Sequence, residues 1–136
     1  MATKHFDLNN PCIFCNPKAE EILAENKWAQ LIKDNSPVSS GHCLVVPKRH
    51  IKTFFEATKE ENAAFYELIQ ASIEIIKKQG HTPDGYNIGC NNDIAAGQSV
   101  FHLHIHVIPR YFGDVENPKG GIRHVIPKKA VYDVKV

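Results

Sequence analysis

Residues 101–108 have the sequence Phe-His-Leu-His-Ile-His-Val-Ile, in which His102, His104 and His106 alternate with large apolar residues. Side chains of a β-strand point alternately to the two faces of a sheet, with a period of two residues. A strand over 100–108 therefore places three imidazoles in a row on one face. The opposite face is apolar and available for burial; it comprises Phe101, Leu103, Ile105 and Val107.

The row of imidazoles has three explanations: a metal site, a catalytic site or a solvated edge. Each buried ring has two nitrogens that need partners, so three rings in a row are costly without a role. Histidine is a common zinc ligand, and neutral imidazole is a competent nucleophile near pH 7. A single strand histidine is usually a satisfied core or surface residue, but three in strict alternation are harder to attribute to chance.

Polar residues lead into the histidine run. Gly97 allows close backbone approach, while Gln98 and Ser99 offer an amide and a hydroxyl suited to hydrogen bonds with phosphate or leaving-group oxygens. The strand is expected to end at Pro109. The loop upstream, residues 91–97, is polar, and ordinary turn chemistry is the simplest explanation of its composition.

Two segments of the chain resemble the histidine triad (HIT) superfamily of nucleotidyl hydrolases and transferases. Residues 97–110, Gly-Gln-Ser-Val-Phe-His-Leu-His-Ile-His-Val-Ile-Pro-Arg, match its signature, His-x-His-x-His followed by two apolar residues. Residues 34–50, Asp-Asn-Ser-Pro-Val-Ser-Ser-Gly-His-Cys-Leu-Val-Val-Pro-Lys-Arg-His, resemble its nucleoside-binding loop and the strand after it. The resemblance covers most of residues 10–112, and residues 120–127 look like an extension of bacterial members.

The resemblance implies a role for each matching residue. His104 matches the family's nucleophile, which attacks the α-phosphorus and forms a covalent nucleotidyl-histidine. His106 matches a residue that contacts the phosphate, and Ser99 a hydroxyl that touches the phosphate or the leaving group. His42 matches a position where the family often has a histidine beside the triad. The implied nucleotide-binding set is Asp34 at the ribose hydroxyls, with Asn91, Gln98, Ser99 and His106 on the phosphate side.

Cys12 and Cys15 form a Cys-x-x-Cys pair near the start of the chain. Such a pair can be a redox dithiol, half of a zinc site or a coincidence. A redox dithiol normally has a strand before it and a helix beginning at it, and no strand is predicted here. A zinc site needs two more ligands, and no second close pair follows at zinc-finger spacing, so the spacing alone leaves the site half built.

The family resemblance supplies the missing ligands. Zinc-containing HIT proteins, and the related galactose-1-phosphate uridylyltransferases, combine such a cysteine pair with two distant histidines, which match His50 and His102. The resemblance therefore implies a structural zinc that ties the segment 10–20 to the histidine strand. Cys43 and Cys90 lie in apolar, strand-like runs and are expected to be core thiols.

The rest of the pattern predicts an α+β fold. Thr58 and Glu61 form a capping box, and the helix that follows should run to about Gln79, with Gly80 as its stop. The apolar face of this helix has helical spacing and comprises Phe65, Leu68, Ile69, Ile73 and Ile76. Strands are predicted at 22–24, 28–33, 43–47, 86–90 and 100–108. A HIT-like antiparallel sheet of about five strands, with one long and one short helix, fits this pattern.

Length and charge set further bounds. A chain of 136 residues is expected to form a single domain over 1–136, with 112–136 as a C-terminal extension. A net charge of +1 gives no electrostatic case for nucleic acid or a membrane, and no apolar run approaches the length of a membrane span. The first eight residues lack the apolar segment of a secretory signal, so a cytoplasmic location is expected. The resemblance adds a homodimer.

The predicted function is a nucleotidyl hydrolase or transferase that cleaves at the α-phosphate of a purine nucleotide. The resemblance makes dinucleoside polyphosphates and nucleoside phosphoramidates the leading substrate classes. Two alternatives stay open: a zinc-dependent hydrolase whose triad holds a catalytic metal, and a non-catalytic nucleotide-binding or interaction module on the same fold. The Gly-Gln-Ser segment argues against the first alternative, because it offers an amide and a hydroxyl rather than a carboxylate.

Overall fold

A computed structural model of the protein describes residues 12–133. The strands and the helix follow in the order β1 (Ile22–Glu25), β2 (Ala29–Lys33), β3 (Cys43–Pro47), α1 (Lys59–Lys78), β4 (Gly85–Gly89) and β5 (Ile105–Arg110). Short 3-10 helices cover Ala19–Glu21, Phe54–Glu56, Ile94–Ala96, Gly121–Val125 and Pro127–Lys129. The α+β class is confirmed, with 3-10 turns in place of a short α-helix.

The five strands form one antiparallel sheet in the order β1-β2-β3-β5-β4. The turn between β1 and β2 is closed by Asn26, whose side-chain oxygen accepts from the backbone N–H groups of Trp28 and Ala29 at 3.1 and 3.0 Å. An asparagine oxygen that accepts from the backbone two and three residues on is a typical turn device. The hairpin predicted around residues 25–27 is therefore present.

Helix α1 begins and ends where the sequence predicts. The Thr58 hydroxyl accepts from the backbone N–H of Glu61 at 3.0 Å, and the Glu61 carboxylate accepts from the Thr58 N–H at 2.9 Å. This reciprocal pair satisfies two N–H groups that the first turn leaves without helical partners. At the other end, Gly80 has φ +95°, a left-handed conformation that glycine adopts without steric cost.

The sheet has a different apolar layer on each face. The face under α1 carries the larger core, with Leu31, Val45, Leu103, Ile105 and Val107 packed against Phe65, Leu68 and Ile76. The opposite face carries a smaller cluster of Phe14, Ile32, Leu44 and Val46. Register places Ile32, Leu44 and His106 side by side across β2, β3 and β5, so the smaller cluster lies beside the histidines.

The histidine strand begins and ends later than the sequence predicts. The prediction was 100–108, whereas β5 spans Ile105–Arg110, so the chain is irregular at His102 and His104. Phe101 was expected on the buried face but is 45% exposed, because the strand has not yet begun there. Pro109 lies inside the strand, opposite Tyr86 of β4; the β3–β5 pairing stops at Val107, so no residue of β3 needs its missing N–H.

The C-terminal residues fold back on the sheet beside β4 and β5. Arg110 on β5 binds the Asp114 carboxylate through two hydrogen bonds of 2.7 and 2.8 Å. Arg123 donates to the backbone carbonyls of Lys129 at 2.6 Å and Ala130 at 3.1 Å. These contacts fix residues 111–130 as an ordered wall, which we call the tail.

Within residues 12–133, none of the helices combines the length and the apolar content that crossing a membrane requires. Three predictions concern residues outside the described range. They are the expectation that residues 1–8 carry no secretory signal, the first two residues of the predicted zinc segment 10–20, and residues 134–136 of the predicted extension.

Candidate active site and metal centre

The three triad histidines lie next to one another, yet each faces a different partner. His102 turns its Nδ1 towards two cysteines, the Nδ1 of His104 donates to a backbone carbonyl, and the Nδ1 of His106 meets another imidazole. Among residues 12–133, no cluster of closely spaced ligand atoms contains all three rings. A single catalytic metal held by the whole triad therefore has no support in this geometry.

His104 is oriented by the backbone just before it. Its Nδ1–H donates to the carbonyl oxygen of His102 at 2.9 Å. A neutral ring that carries its proton on Nδ1 has its lone pair on Nε2. The Phe14 ring packs against this imidazole at 4.8 Å between ring centroids, so the ring is held on its face as well as at its edge. The hydrogen bond and the Phe14 contact together fix the direction in which the Nε2 lone pair of His104 points.

His106 belongs to a chain of hydrogen bonds that begins at the backbone. The Val38 N–H donates to His42 Nδ1 at 3.1 Å, so a neutral His42 carries its proton on Nε2. That Nε2 lies 2.9 Å from His106 Nδ1 and 3.2 Å from Asp34 Oδ2. His106 Nδ1 therefore accepts a hydrogen bond, and the proton of its own neutral ring is on Nε2, where it can be donated.

The surroundings of His42 and His106 keep both imidazoles neutral near pH 7. Burial, with the nearby His104 and His42 rings, lowers the pKa of His106 to about 4, and Asp34 only partly opposes this. Burial also lowers the pKa of His42 below the ordinary histidine value, again against the pull of Asp34. Near pH 7 the donor and acceptor order along the chain is therefore that of two uncharged imidazoles.

A cavity of about 390 Å³, here called the histidine cavity, opens over these residues. Its lining includes the apolar side chains of Phe14, Ile32 and Leu44 and the carboxylate of Asp34. It also includes the polar side chains of Asn91, Ser99, His42, His104 and His106. A cavity that combines apolar walls with hydrogen-bonding groups suits a ligand that carries both a flat ring and an anion.

Most of the predicted site residues meet in this cavity. Asp34, Asn91, Ser99, His104 and His106 all line it, although they come from four separate stretches of the chain. Ser36 N–H donates to Asp34 Oδ1 at 2.7 Å, which fixes the carboxylate and turns its other oxygen towards His42.

Gln98 has a different position from the one expected for a phosphate contact. It is 4% exposed, and its Oε1 accepts from the backbone N–H of Asp93 at 2.7 Å. Its Nε2 donates to the carbonyls of Lys52 at 2.7 Å and Val100 at 3.1 Å. All three hydrogen bonds join backbone segments, so the side chain braces the loop that presents Ser99 rather than facing the cavity.

Cys12, Cys15, His50 and His102 form a second cluster beside the cavity. The ligand atoms of all four lie within 4.8 Å of one another. His102 Nδ1 is 3.5 Å from each cysteine sulfur and 3.1 Å from His50 Nδ1, and the Cys15 sulfur is 3.0 Å from His50 Nδ1. The four predicted metal-ligating residues are therefore brought together, although up to 90 residues separate them in sequence.

The donor set fits a tetrahedral metal ion. Tetrahedral zinc separates sulfur and nitrogen ligands by about 3.5 Å and two nitrogen ligands by about 3.3 Å, close to the distances found here. His102 Nε2–H donates to the carbonyl of Pro47 at 2.9 Å, which leaves the lone pair on the Nδ1 that faces the cysteines. The other two cysteines differ: Cys43 is buried and burial raises its pKa to about 12, and Cys90 is half-buried.

Sequence reasoning did not single out Phe14 and left the role of His42 open. Phe14 lies between the two cysteines of the metal cluster, and its ring packs against His104. Its place between the cysteines in the sequence is the signal that could have identified it. The role of His42 depends on the backbone N–H of Val38 and on long-range pairing with His106, which no local pattern shows.

Comparison with known proteins agrees with this geometry. A family model described as the HIT domain matches residues 17–113, more than two thirds of the chain. The chain belongs to the HIT family. An uncharacterized HIT-like protein of Methanocaldococcus jannaschii is 40% identical to this HIT protein over 129 residues, which cover 91% of this chain and 98% of the relative. The cysteine pair lies just before the segment that the family model matches.

Solved structures place the sheet and α1 in the HIT fold. A member of the HIT family from Bacillus subtilis has a TM-score of 0.68 and 30% identity, over 91% of this chain and all of its own. A Zn-bound histidine triad family protein from Mycobacterium smegmatis has a TM-score of 0.67 and 33% identity, over 76% of this chain and 78% of its own.

Three further relatives of this HIT protein carry names that state an activity. An adenylylsulfatase of Arabidopsis thaliana is 39% identical over 76% of this chain and 54% of its own length. An AP-4-A phosphorylase of Mycobacterium tuberculosis is 35% identical over 68% and 48%. An adenosine 5'-monophosphoramidase of Schizosaccharomyces pombe is 36% identical over 73% and 74%.

Proposed function

We propose that this HIT protein is a nucleotidyl hydrolase that cleaves at the α-phosphate of a purine nucleotide through a covalent intermediate on His104. The observation that carries the proposal is the 2.9 Å hydrogen bond from His104 Nδ1 to the His102 carbonyl. It leaves a lone pair on Nε2, in a cavity that also presents Asn91, Ser99 and His106. The three relatives with stated activities all act on nucleotide phosphate bonds.

The reaction has two steps with balanced bonds. In the first, His104 Nε2 forms a bond to the α-phosphorus while the bond from phosphorus to the leaving group breaks, and the leaving group departs with the electron pair. In the second, water attacks the phosphorus and releases a proton to the solvent, the P–N bond breaks and the lone pair returns to Nε2. The products are a nucleoside monophosphate and the free leaving group. Attack by inorganic phosphate instead of water would give phosphorolysis through the same intermediate.

The other cavity residues would stabilise charge and hold the nucleotide. His106 offers its Nε2–H, and Ser99 and Asn91 offer a hydroxyl and an amide, to the phosphate oxygens that gain charge during attack. Asp34 lines the same cavity, where its carboxylate can accept from ribose hydroxyls. The apolar side chains of Ile32 and Leu44 would contact the base.

We also propose that the metal is zinc and that its role is structural. The two thiols and two imidazoles are a typical ligand set for a closed structural zinc site. The histidine triad family protein from M. smegmatis is Zn-bound. When bound, zinc supplies a cross-link between the segment at Cys12 and the backbone at His102, whose carbonyl orients the proposed nucleophile.

A homodimer through the β4 edge completes the proposal. Strand β4 ends the sheet, and its Ile88 is 41% exposed. An edge strand presents unpaired backbone groups that a second chain can meet. The Tyr86 hydroxyl on the same strand is buried and has no hydrogen-bond partner among the described residues. Sedimentation equilibrium of the protein and of Ile88→Lys tests this; a wild-type monomer at micromolar concentration would contradict it.

Turnover measurements test the proposed activity. The protein and His104→Asn are incubated with diadenosine tetraphosphate and, separately, with adenosine 5'-phosphoramidate, and the products are separated by chromatography. Adenosine monophosphate should form from at least one substrate with the wild type and from neither with the variant. Nucleotide binding without any product in the wild type would instead support the alternative of a binding module.

A further inference from the structure

The histidine cavity reaches from the histidines to the far edge of the sheet. The strand register places one row of residues across β1, β2, β3 and β5, namely Ile22, Ile32, Leu44 and His106. Neighbouring strands lie about 4.8 Å apart, so this row is about 14 Å long. His106 lies at one end of the row, and Glu21, the residue before β1, lies at the other end. Both residues line the histidine cavity.

The charged groups of this cavity lie on the side of β1 and β2. Glu21 directly precedes β1, and Asp34 directly follows β2. Asn91 belongs to the opposite side, because it follows β4, whose Gly89 is paired with His106. A phosphate is repelled by the two carboxylates and is accepted by the neutral donors near His106. A nucleotide whose phosphate lies at the histidines therefore directs its base towards Glu21.

The carboxylate of Glu21 is held in place by its own backbone turn. The Lys18 N–H donates to Glu21 Oε1 at 3.3 Å and closes the first turn of the 3-10 helix Ala19–Glu21. Within residues 12–133, no lysine, arginine or histidine forms a salt bridge with this carboxylate. The residue is half-buried, and its remaining lone pairs are available to a ligand in the cavity.

A carboxylate at this position discriminates between the two purine bases. It is an acceptor only, and its two oxygens suit a partner that presents two donors side by side. Guanine presents such a pair, because N1–H and the 2-amino group are adjacent on its Watson–Crick edge. Adenine presents one donor, the 6-amino group, next to an N1 lone pair that a carboxylate repels. Hypoxanthine is intermediate, since it keeps N1–H and lacks the 2-amino group.

We infer that Glu21 is a specificity-determining residue that binds the Watson–Crick edge of guanine, so that guanine nucleotides are the preferred substrates. The inference rests on the proposed function, because it places the α-phosphate at His104 and the ribose at Asp34. The base then continues along Ile32 towards β1 and meets the Glu21 carboxylate. The preference is one of affinity: adenine nucleotides occupy the same cavity with one charge-assisted hydrogen bond fewer.

Equilibrium binding of nucleoside monophosphates, the products of the proposed reaction, tests this without any turnover. The probes are guanosine, inosine and adenosine 5'-monophosphate, each titrated into the wild type by calorimetry. The guanosine nucleotide should bind at least about tenfold tighter than the adenosine nucleotide, because one charge-assisted hydrogen bond contributes about that factor. The inosine nucleotide should lie between them. Equal affinity for the guanosine and adenosine nucleotides would overturn the inference.

Glu21→Gln changes the hydrogen-bonding pattern and little else. The amide oxygen can still accept from the Lys18 N–H, but an NH₂ donor replaces one of the two acceptors. An amide matches adenine, since its oxygen accepts from the 6-amino group and its NH₂ donates to N1. The guanosine nucleotide should weaken at least about tenfold, whereas the adenosine nucleotide should bind as tightly as before or more tightly. Equal weakening of both nucleotides would contradict the assignment.

Glu20→Gln is the matched control. Glu20 belongs to the same 3-10 helix, is exposed and does not line the histidine cavity. The three affinities should stay within about twofold of the wild type, and a loss of guanine preference as large as in Glu21→Gln would contradict the assignment. The comparison of guanosine with inosine monophosphate changes only the ligand, so it tests the 2-amino contact even if Glu21→Gln fails to fold.

The outcome can be separated from that of the catalytic proposal. If the wild type prefers the guanosine nucleotide and Glu21→Gln removes the preference, the base contact is assigned whether or not the protein turns over. If the wild type cleaves adenosine 5'-phosphoramidate through His104 but binds the guanosine and adenosine monophosphates equally, the proposed function stands and the inference fails.

Discussion

The Nδ1 atom of His104 lies 2.9 Å from the carbonyl oxygen of His102, so the residue that faces the two cysteines also orients the proposed nucleophile. A change at the cysteines is therefore transmitted to the active centre through one residue of backbone. Loss of the metal should therefore change both the melting temperature and the rate of turnover.

Replacing one cysteine separates a metal ligand from an ordinary thiol. Cys12→Ser should lower the bound zinc measured by elemental analysis and lower the melting temperature by at least about 5 °C, because a structural metal contributes directly to folding. The rate of turnover should fall as well, since the His102 carbonyl loses its support. Cys90→Ser is the control. Because Cys90 lies outside the cluster, the zinc content of this variant should equal that of the wild type. Unaltered zinc in Cys12→Ser would exclude the four-ligand site.

We expect His42 to act on the phosphate mainly through its hydrogen bond to His106, and its replacement tests this. In His42→Phe, His106 Nδ1 loses its donor, so the ring no longer has a fixed tautomer. We expect kcat to fall by about ten- to a hundredfold, with KM changed less than about threefold. Long-range proton–nitrogen NMR should show His106 protonated on Nε2 in the wild type and a mixture of tautomers in the variant. A single unchanged tautomer in His42→Phe would contradict the hydrogen-bond order.

The pH dependence of stability follows from the pKa of His106. The folded value is about 4, because burial and the His104 and His42 rings outweigh Asp34, and the unfolded value is near 6.5. Above pH 6.5 the ring is neutral in both states and contributes no slope. Between pH 6.5 and 4 the unfolded chain takes up a proton that the folded chain does not, so stability falls as the pH falls.

Denaturant titrations of the wild type and His106→Gln measure this difference. The ring is 23% exposed, so the wild type should lose on the order of 1 to 3 kcal/mol more unfolding free energy than the variant over that range. Zinc content is measured at each pH, because the metal-facing histidines also take up protons in acid. Parallel curves at equal zinc content would mean that His106 is not the titrating ring.

Gln98 is expected to act on the loop and not on the phosphate. Gln98→Ala leaves the part-buried backbone N–H of Asp93 and carbonyl of Lys52 without their partner, which should cost about 1–2 kcal/mol of unfolding free energy. Gln70→Ala, at an exposed position on α1, should have little effect. If Gln98 contacted phosphate instead, its loss would raise KM and leave stability unchanged.

Features set by neighbouring residues were predictable from the sequence. The bounds of α1 follow from Thr58, Glu61 and Gly80, because caps and a left-handed glycine act within a few residues. The alternation of His104 with Leu103 and Ile105 placed the imidazole and the apolar side chains on opposite faces, and both apolar residues are buried.

Features set by distant partners were not predictable. The strand starts only at Ile105, because the backbone before it is committed elsewhere: Leu103 N–H donates to the Ile51 carbonyl at 2.7 Å, and the His102 ring turns to the cysteines. The side chain of Gln98 is used by Lys52, which lies 46 residues away. No pattern within residues 97–110 contains either partner.

The most direct test of the central claim is the mass of the intact protein after rapid quenching, without acid, of a reaction with diadenosine tetraphosphate or adenosine 5'-phosphoramidate. The account predicts an added adenylyl group on the wild type that peptide mapping places on His104, and no such species on His104→Ala. An adenylyl group on another residue, or product formation by His104→Ala at the wild-type rate, would contradict it.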